Sequence, residues 1–123
     1  MQQERRKFTR LRSRLTTTFK VLATGKILRA LTRDIGGIGV CLLTEDPIEP
    51  GTPLEVEIKL PDVPAPITFA GEVVWSKPVA SSTQSYIGEL TAETGVKFVD
   101  IDPKARLLIL QYAALNALPP QGG

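Results

Sequence analysis

The chain predicts an all-β fold, an antiparallel sandwich or barrel finished by one C-terminal helix. Three observations carry that prediction. Short β-branched or alternating segments recur along most of the 123 residues, with Gly- and Pro-rich turn signals between them. No strand–helix–strand alternation appears, which argues against a Rossmann-type cofactor domain. A single helix-start signal, Asp102-Pro103, stands near the end: Asp as N-cap and Pro at the first helical position.

The elements follow in order. Residues 1–14 read as a flexible basic arm. Thr16 to Ala23 is rich in β-branched and aromatic residues and predicts a strand. Thr24-Gly25 is a plausible tight turn, and Lys26 to Arg33 a second strand. Ile27 and Leu31 alternate there with Leu28 and Ala30, which leaves its facing open. Asp34-Ile35-Gly36-Gly37-Ile38-Gly39 places three glycines in four residues, so the backbone turns sharply or something approaches it closely. Val40 to Leu43 is a short buried strand. A loop with Pro47, Pro50 and Pro53 leads to Leu54–Leu60, whose strict alternation puts Leu54, Val56, Ile58 and Leu60 inward. After a second Pro-rich loop, Ile67 to Ser76 predicts a long strand with Ile67, Phe69, Gly71, Val73 and Trp75 inward. Lys77 to Ser85 reads as a polar loop, Tyr86 to Leu90 as a short strand, Thr91 to Thr94 as a turn, and Gly95 to Val99 as the last strand. The helix then runs over about 103–118, stopped by Pro119-Pro120, with 119–123 as a tail. The expected division is thus an arm at 1–14 and a domain at 15–118.

Charge is unevenly spread. Six of the fifteen Lys and Arg residues fall between Arg5 and Arg14, beside one acid, Glu4, while residues 15–123 are net negative. A cationic leader on a near-neutral body suggests an arm that waits for an anion. Arginine dominates it, and the guanidinium fork suits bidentate recognition of phosphate or of a guanine edge. The sequence has no histidine, which removes the commonest general base and metal ligand together. No carboxylate pair has a catalytic pattern, so no catalytic residue, no metal and no enzyme activity are expected. One cysteine, Cys41, excludes an internal disulfide framework and fits a reducing cytoplasm; in its apolar strand it reads as an inert buried thiol. No apolar run is long enough to cross a bilayer, and no membrane role is expected.

Two constellations carry chemistry. Arg6-xxx-Arg10, with Arg5 just before it, lies in the arm. Asp34-x-Gly36-x-x-Gly39 lies at the end of the second strand. Each alone is weak, since the arm can be a solvated tail and the glycines a turn. Together they make chemical sense. An ionised carboxylate only accepts hydrogen bonds, and guanine presents two adjacent donors on its Watson–Crick edge. Arginines take guanine's N7 and O6 and the phosphodiester oxygens. Glycines beside Asp34 let a ligand approach the main chain.

Arg6-Lys7-Phe8-Thr9-Arg10, followed about two dozen residues later by Asp34-Ile35-Gly36-Gly37-Ile38-Gly39, resembles the two-part RxxxR and [DN]xSxxG signature of PilZ domains. The likeness extends over about residues 4–118 and includes the Gly95–Val99 strand and the final helix. It implies a six-stranded antiparallel β-barrel with a C-terminal helix. It implies a bacterial cytoplasmic receptor for cyclic dimeric GMP, needing no cofactor, whose arm closes over the ligand. Arg6 and Arg10 would clasp phosphates and guanines, Asp34 would bind guanine, and Gly39 matches the last glycine. Arg5, in the place of the family's extra arginine, implies a stacked pair of ligand molecules. Gly36 departs from the signature, standing where the family has serine. Loss of one neutral hydrogen bond costs about 0.5–1.5 kcal/mol, up to about tenfold in affinity.

Two other readings stand beside the receptor. The helix has apolar residues around more than one face, from Leu107 to Leu118, so its surface suggests a protein partner or a second copy of the chain. A PilZ-like adaptor that binds protein and no nucleotide is therefore the alternative. A nucleic-acid-binding barrel ranks last, because it calls for basic and aromatic strands, whereas the body is net negative and aromatics are 6%. Trp75 and Phe98 are expected in the core rather than against a ligand.

Overall fold

The computed structural model describes residues 8–118. Six antiparallel strands close into a barrel: β1 (Phe8–Val21), β2 (Lys26–Gly36), β3 (Gly39–Thr44), β4 (Pro53–Ile58), β5 (Ile67–Ser85) and β6 (Gly88–Asp100), followed by α1 (Pro103–Leu115). Around the barrel the order is β1-β2-β3-β6-β5-β4, with β4 returning to β1.

Turn chemistry sets the connections. Gly25 takes φ +76°, a left-handed conformation open to glycine, and its N–H donates to Val21 O at 2.7 Å to close the β1–β2 loop. Gly51 (φ +91°) follows Pro50 in a turn where Thr52 N donates to Glu49 O. Strand alternation then sorts the faces. In β4, Leu54, Val56 and Ile58 are fully buried between exposed Glu55 and Glu57. In β2 the open question resolves: Ala30 enters the main core, while Ile27 is exposed.

The main core joins Leu15 and Phe19 of β1, Val40 and Leu42 of β3, Val73 of β5 and Val96 of β6 with Ile109 and Ala113 of α1. A second, smaller cluster of Leu31, Leu43 and Leu90, with Ile87 against it, lies on the other face of β2 and β3. It forms because the end of the β5–β6 hairpin lies over the outside of the barrel, where Tyr86 Oη bonds Thr16 Oγ1.

Four expectations need correction. Residues 8–14 are not an arm: they belong to β1, whose Phe8, Thr9 and Arg10 pair with Gly36, Ile35 and Asp34, and whose Leu11 is buried. Residues 77–85 are not a loop, and 86–99 are not strand, turn and strand. They form the two arms of one hairpin, paired as far as Pro78–Ala92, irregular over 79–82, and paired again from Thr83–Leu90 out to Ser85–Gly88. The Leu54–Leu60 strand ends at Ile58, although Leu60 remains buried.

The fourth correction is the helix end. Asp102 does cap the N-terminus, accepting from Lys104 N at 3.0 Å and Ala105 N at 3.2 Å. The C-terminus comes at Leu115 rather than 118. The next residues satisfy their backbone against β1 instead: Asn116 O accepts from Arg12 N, and Leu118 N donates to Arg10 O, both at 2.8 Å.

Candidate functional site

Arg10 of the first motif meets the second motif on the outer wall of the barrel. Arg10 and Asp34 are direct partners in the β1–β2 register. Three extra β1 residues are accommodated between Arg10 and Leu15, so this end of β1 follows its own register beside Asp34–Gly36. Arg10 Nε lies 3.5 Å from Asp34 Oδ1, within ion-pair range but without hydrogen-bond geometry. Oδ1 is shielded from water and has no hydrogen-bond partner among the described residues. Oδ2 is held by Arg33, through Nη2 at 3.1 Å and Nε at 3.3 Å, and Arg33 Nη1 donates to Glu93 Oε2. Arg10 is half-exposed; Asp34, Arg33 and Glu93 are largely covered. Burial works against the Arg33 charge. The hydrogen bond and field of Asp34, with lesser help from Cys41 and Glu93, outweigh it and raise the pKa.

Beside Asp34 opens a cleft of about 250 Å³, lined by Arg33, Asp34, Gly39, Cys41, Trp75, Gly95 and Lys97, with exposed Ile38 and Val74 as apolar walls. Trp75 corrects the expectation that put it in the core. Its side chain is on the outside, 41% exposed. The reason is a bulge: Val73 pairs with Val96, but Trp75 pairs with Gly95, so Val74 is an extra residue and the facing flips after it. The indole lies against Gly95, where a Cβ would sit 2.4 Å from Nε1, and Lys77 Nζ stands 5.5 Å from the ring centroid. Phe98 is core-associated as expected, edge-on to Phe69. Strand alternation alone placed Trp75 wrongly; its nearness to the exposed Lys77 was the available signal.

The glycines divide by task. Among the described residues positive φ falls on Gly25, Gly51 and Gly88, not on Gly36, Gly37 or Gly39. Gly39 is required by packing: a Cβ there would be 2.1 Å from Val96 O. What approaches the main chain at Gly39 is therefore β6. Gly36 is buried at the end of β2 opposite Phe8. Gly37 O accepts from Arg106 of α1 at 2.6 Å, tying the helix to the glycine turn. Cys41 lines the cleft as a buried thiol. Burial raises its pKa, Arg33 lowers it, Asp34 and Glu93 raise it, and the thiol ends pushed up to about 11. Arg5 and Arg6 lie outside the described residues. Among the described residues no cluster of His, Cys, Asp and Glu could hold a metal, and no helix is long and apolar enough to cross a membrane.

The described residues thus form a six-stranded barrel with an arginine–aspartate pair beside an aromatic-walled cleft on its outer surface. The chain belongs to the PilZ domain family, whose sequence model matches residues 4–115. Its fold is shared with the inhibitor of motility MotI (DgrA) of Bacillus subtilis, at TM-score 0.70 and 18% identity over 94% of this chain and 52% of that one. The PilZ domain of YcgR from Escherichia coli, solved with c-di-GMP, matches at TM-score 0.67 and 12% identity over 89% and 87% of the two chains. MrkH, described as a c-di-GMP-dependent transcription regulatory factor, matches at 0.69 and 18% over 89% and 50%. The chain thus spans about half the length of MotI and of MrkH. No curated protein matches the sequence significantly.

Proposed function

We propose that this chain is a cytoplasmic receptor for cyclic dimeric GMP that couples ligand binding to contact with a protein partner. The observation that carries the reading is the register pair of Arg10 and Asp34 beside the Trp75-walled cleft. Asp34 accepts from the two donors of a guanine edge. Arg10, with Arg6 and Arg5 before it in the chain, takes phosphates and guanine acceptors, and Arg5 admits a stacked pair of ligands. The exposed Trp75 ring offers a surface on which a purine stacks. Gly39 acts in this scheme by letting β3 pack on β6 rather than by touching ligand. The YcgR domain bound to the same nucleotide supports the ligand choice by analogy.

Coupling has a physical route. Arg106 bonds Gly37 O in the second motif, while residues 116–118 pair with the backbone of Arg10 and Arg12 in the first. Both motifs are therefore tied to α1, which exposes Leu107 and Leu115 for a partner or a second copy of the chain. Those exposed leucines, with the missing hydroxyl at Gly36, favour the second reading: an adaptor that binds no nucleotide.

Calorimetric titration with cyclic dimeric GMP at fixed salt separates the two. Wild type binds, with two ligands per chain, and Asp34→Ala loses about 100-fold or more in affinity, the scale of two charge-assisted hydrogen bonds. Arg10→Ala and Arg6→Ala also weaken binding, and Gly36→Ser tightens it by up to about tenfold. No heat from wild type up to high micromolar ligand favours the adaptor.

A further inference from the structure

In a regular strand, adjacent residues point to opposite faces. Arg33 and Asp34 are adjacent, yet their side chains pair. The β2–β3 register shifts between Thr32 and Asp34, and this irregularity sets both side chains on the outer wall. The Arg33 fork then reaches two ways: Nε and Nη2 to Asp34 Oδ2, and Nη1 to Glu93 of β6.

We propose, on the receptor reading above, that Arg33 anchored by Glu93 is a positioning pair that orients the Asp34 carboxylate and so sets its selectivity for guanine. Two donors on one oxygen fix the plane of the carboxylate. Oδ1 is left water-poor and without a hydrogen bond, a state that a ligand donor relieves. The remaining acceptor positions of Oδ2 and those of Oδ1 then face a base edge as a set. Glu93 also balances charge. With it, Arg10, Arg33, Asp34 and Glu93 sum to zero; without it the cluster is net positive and disfavours a donor edge. Guanine fills both acceptors with its ring N–H and exocyclic amine, hypoxanthine fills one, and adenine presents an acceptor to a carboxylate.

The test compares cyclic dimeric GMP with cyclic dimeric IMP, which lacks the exocyclic amine, by calorimetry on the whole chain. Wild type prefers the guanine ligand by about tenfold or more, the scale of one charge-assisted hydrogen bond. Glu93→Gln and Arg33→Lys, each checked for an unchanged melting curve, bring that ratio toward one. Arg33→Lys keeps the charge and loses the planar fork, so it separates orientation from net charge. Retention of the wild-type preference by both variants overturns the assignment. Equal weakening for both ligands overturns it too, because a general electrostatic role would do that. A wild type that binds both ligands equally overturns the positioning role alone. A wild type that binds neither overturns the receptor reading and this assignment with it.

Discussion

The inner and outer walls of the same strands tell different stories. On the inside, Val40 and Leu42 of β3 and Val96 of β6 are sealed into one apolar core. One residue away on each strand, Cys41 and Gly95 face out with Asp34 and Trp75, and the wall becomes a cleft with charge beside it. The inside repeats with period two and tolerates no polar group without a partner; its Thr17 and Thr32 hydroxyls bond each other at 2.6 Å. The strands break period at the candidate-site positions, at Val74, at Arg33 and between Arg10 and Leu15. Regularity builds the barrel, and irregularity aims the site.

Gly39→Ala tests the packing of β3 against β6. Its Cβ would meet backbone that cannot swing away, so stability falls by about 3 kcal/mol, at the upper end for overpacking, in urea unfolding. A change under about 0.5 kcal/mol would show that β3 and β6 part easily.

Cys41 tests the dryness of the outer wall. Its folded pKa of about 11 lies above the ordinary value of 9.0, so the folded state holds the proton more tightly. Stability from this group is present below about pH 9 and is lost as pH rises toward 11, by about 2 kcal/mol. The difference between wild type and Cys41→Ala across that range isolates it. Thiol alkylation at pH 8 should be correspondingly slow, and fast labelling there would mean an open, wetter wall.

Trp75→Ala gives the smallest effect. The ring is partly exposed and off the core, so melting changes little. Affinity for cyclic dimeric GMP falls about tenfold, near the lower end for one base on one aromatic ring. A large loss of stability with unchanged affinity would return Trp75 to a packing role.

Much of the barrel was legible because burial writes period two into Leu54–Ile58 and capping writes Asp102-Pro103. The closing hairpin was not, since Lys77–Ser85 is small, polar and without alternation; it is a strand because Gly88–Leu90 and the rest of β6 pair with it. The partnership of Arg10 with Asp34 was legible only from two motifs taken together. Arg33 and Trp75 were missed for one reason. A bulge changes which way a side chain faces, and a single extra residue leaves no mark in composition or spacing. The helix end was missed because residues 116–118 gain backbone partners on β1, a contact across a hundred residues of chain that local signals do not carry.

On the proposed reading, the outer wall binds nucleotide while the inner wall holds the fold. Amide, methyl and indole chemical shifts, followed by NMR during titration with cyclic dimeric GMP, test it most directly. Saturable shifts are expected at Arg10, Asp34, Cys41, Gly95 and the Trp75 indole, with the Leu54, Val56 and Ile58 methyls unmoved. Absent shifts at saturating ligand, or shifts confined to the α1 leucines, would contradict it.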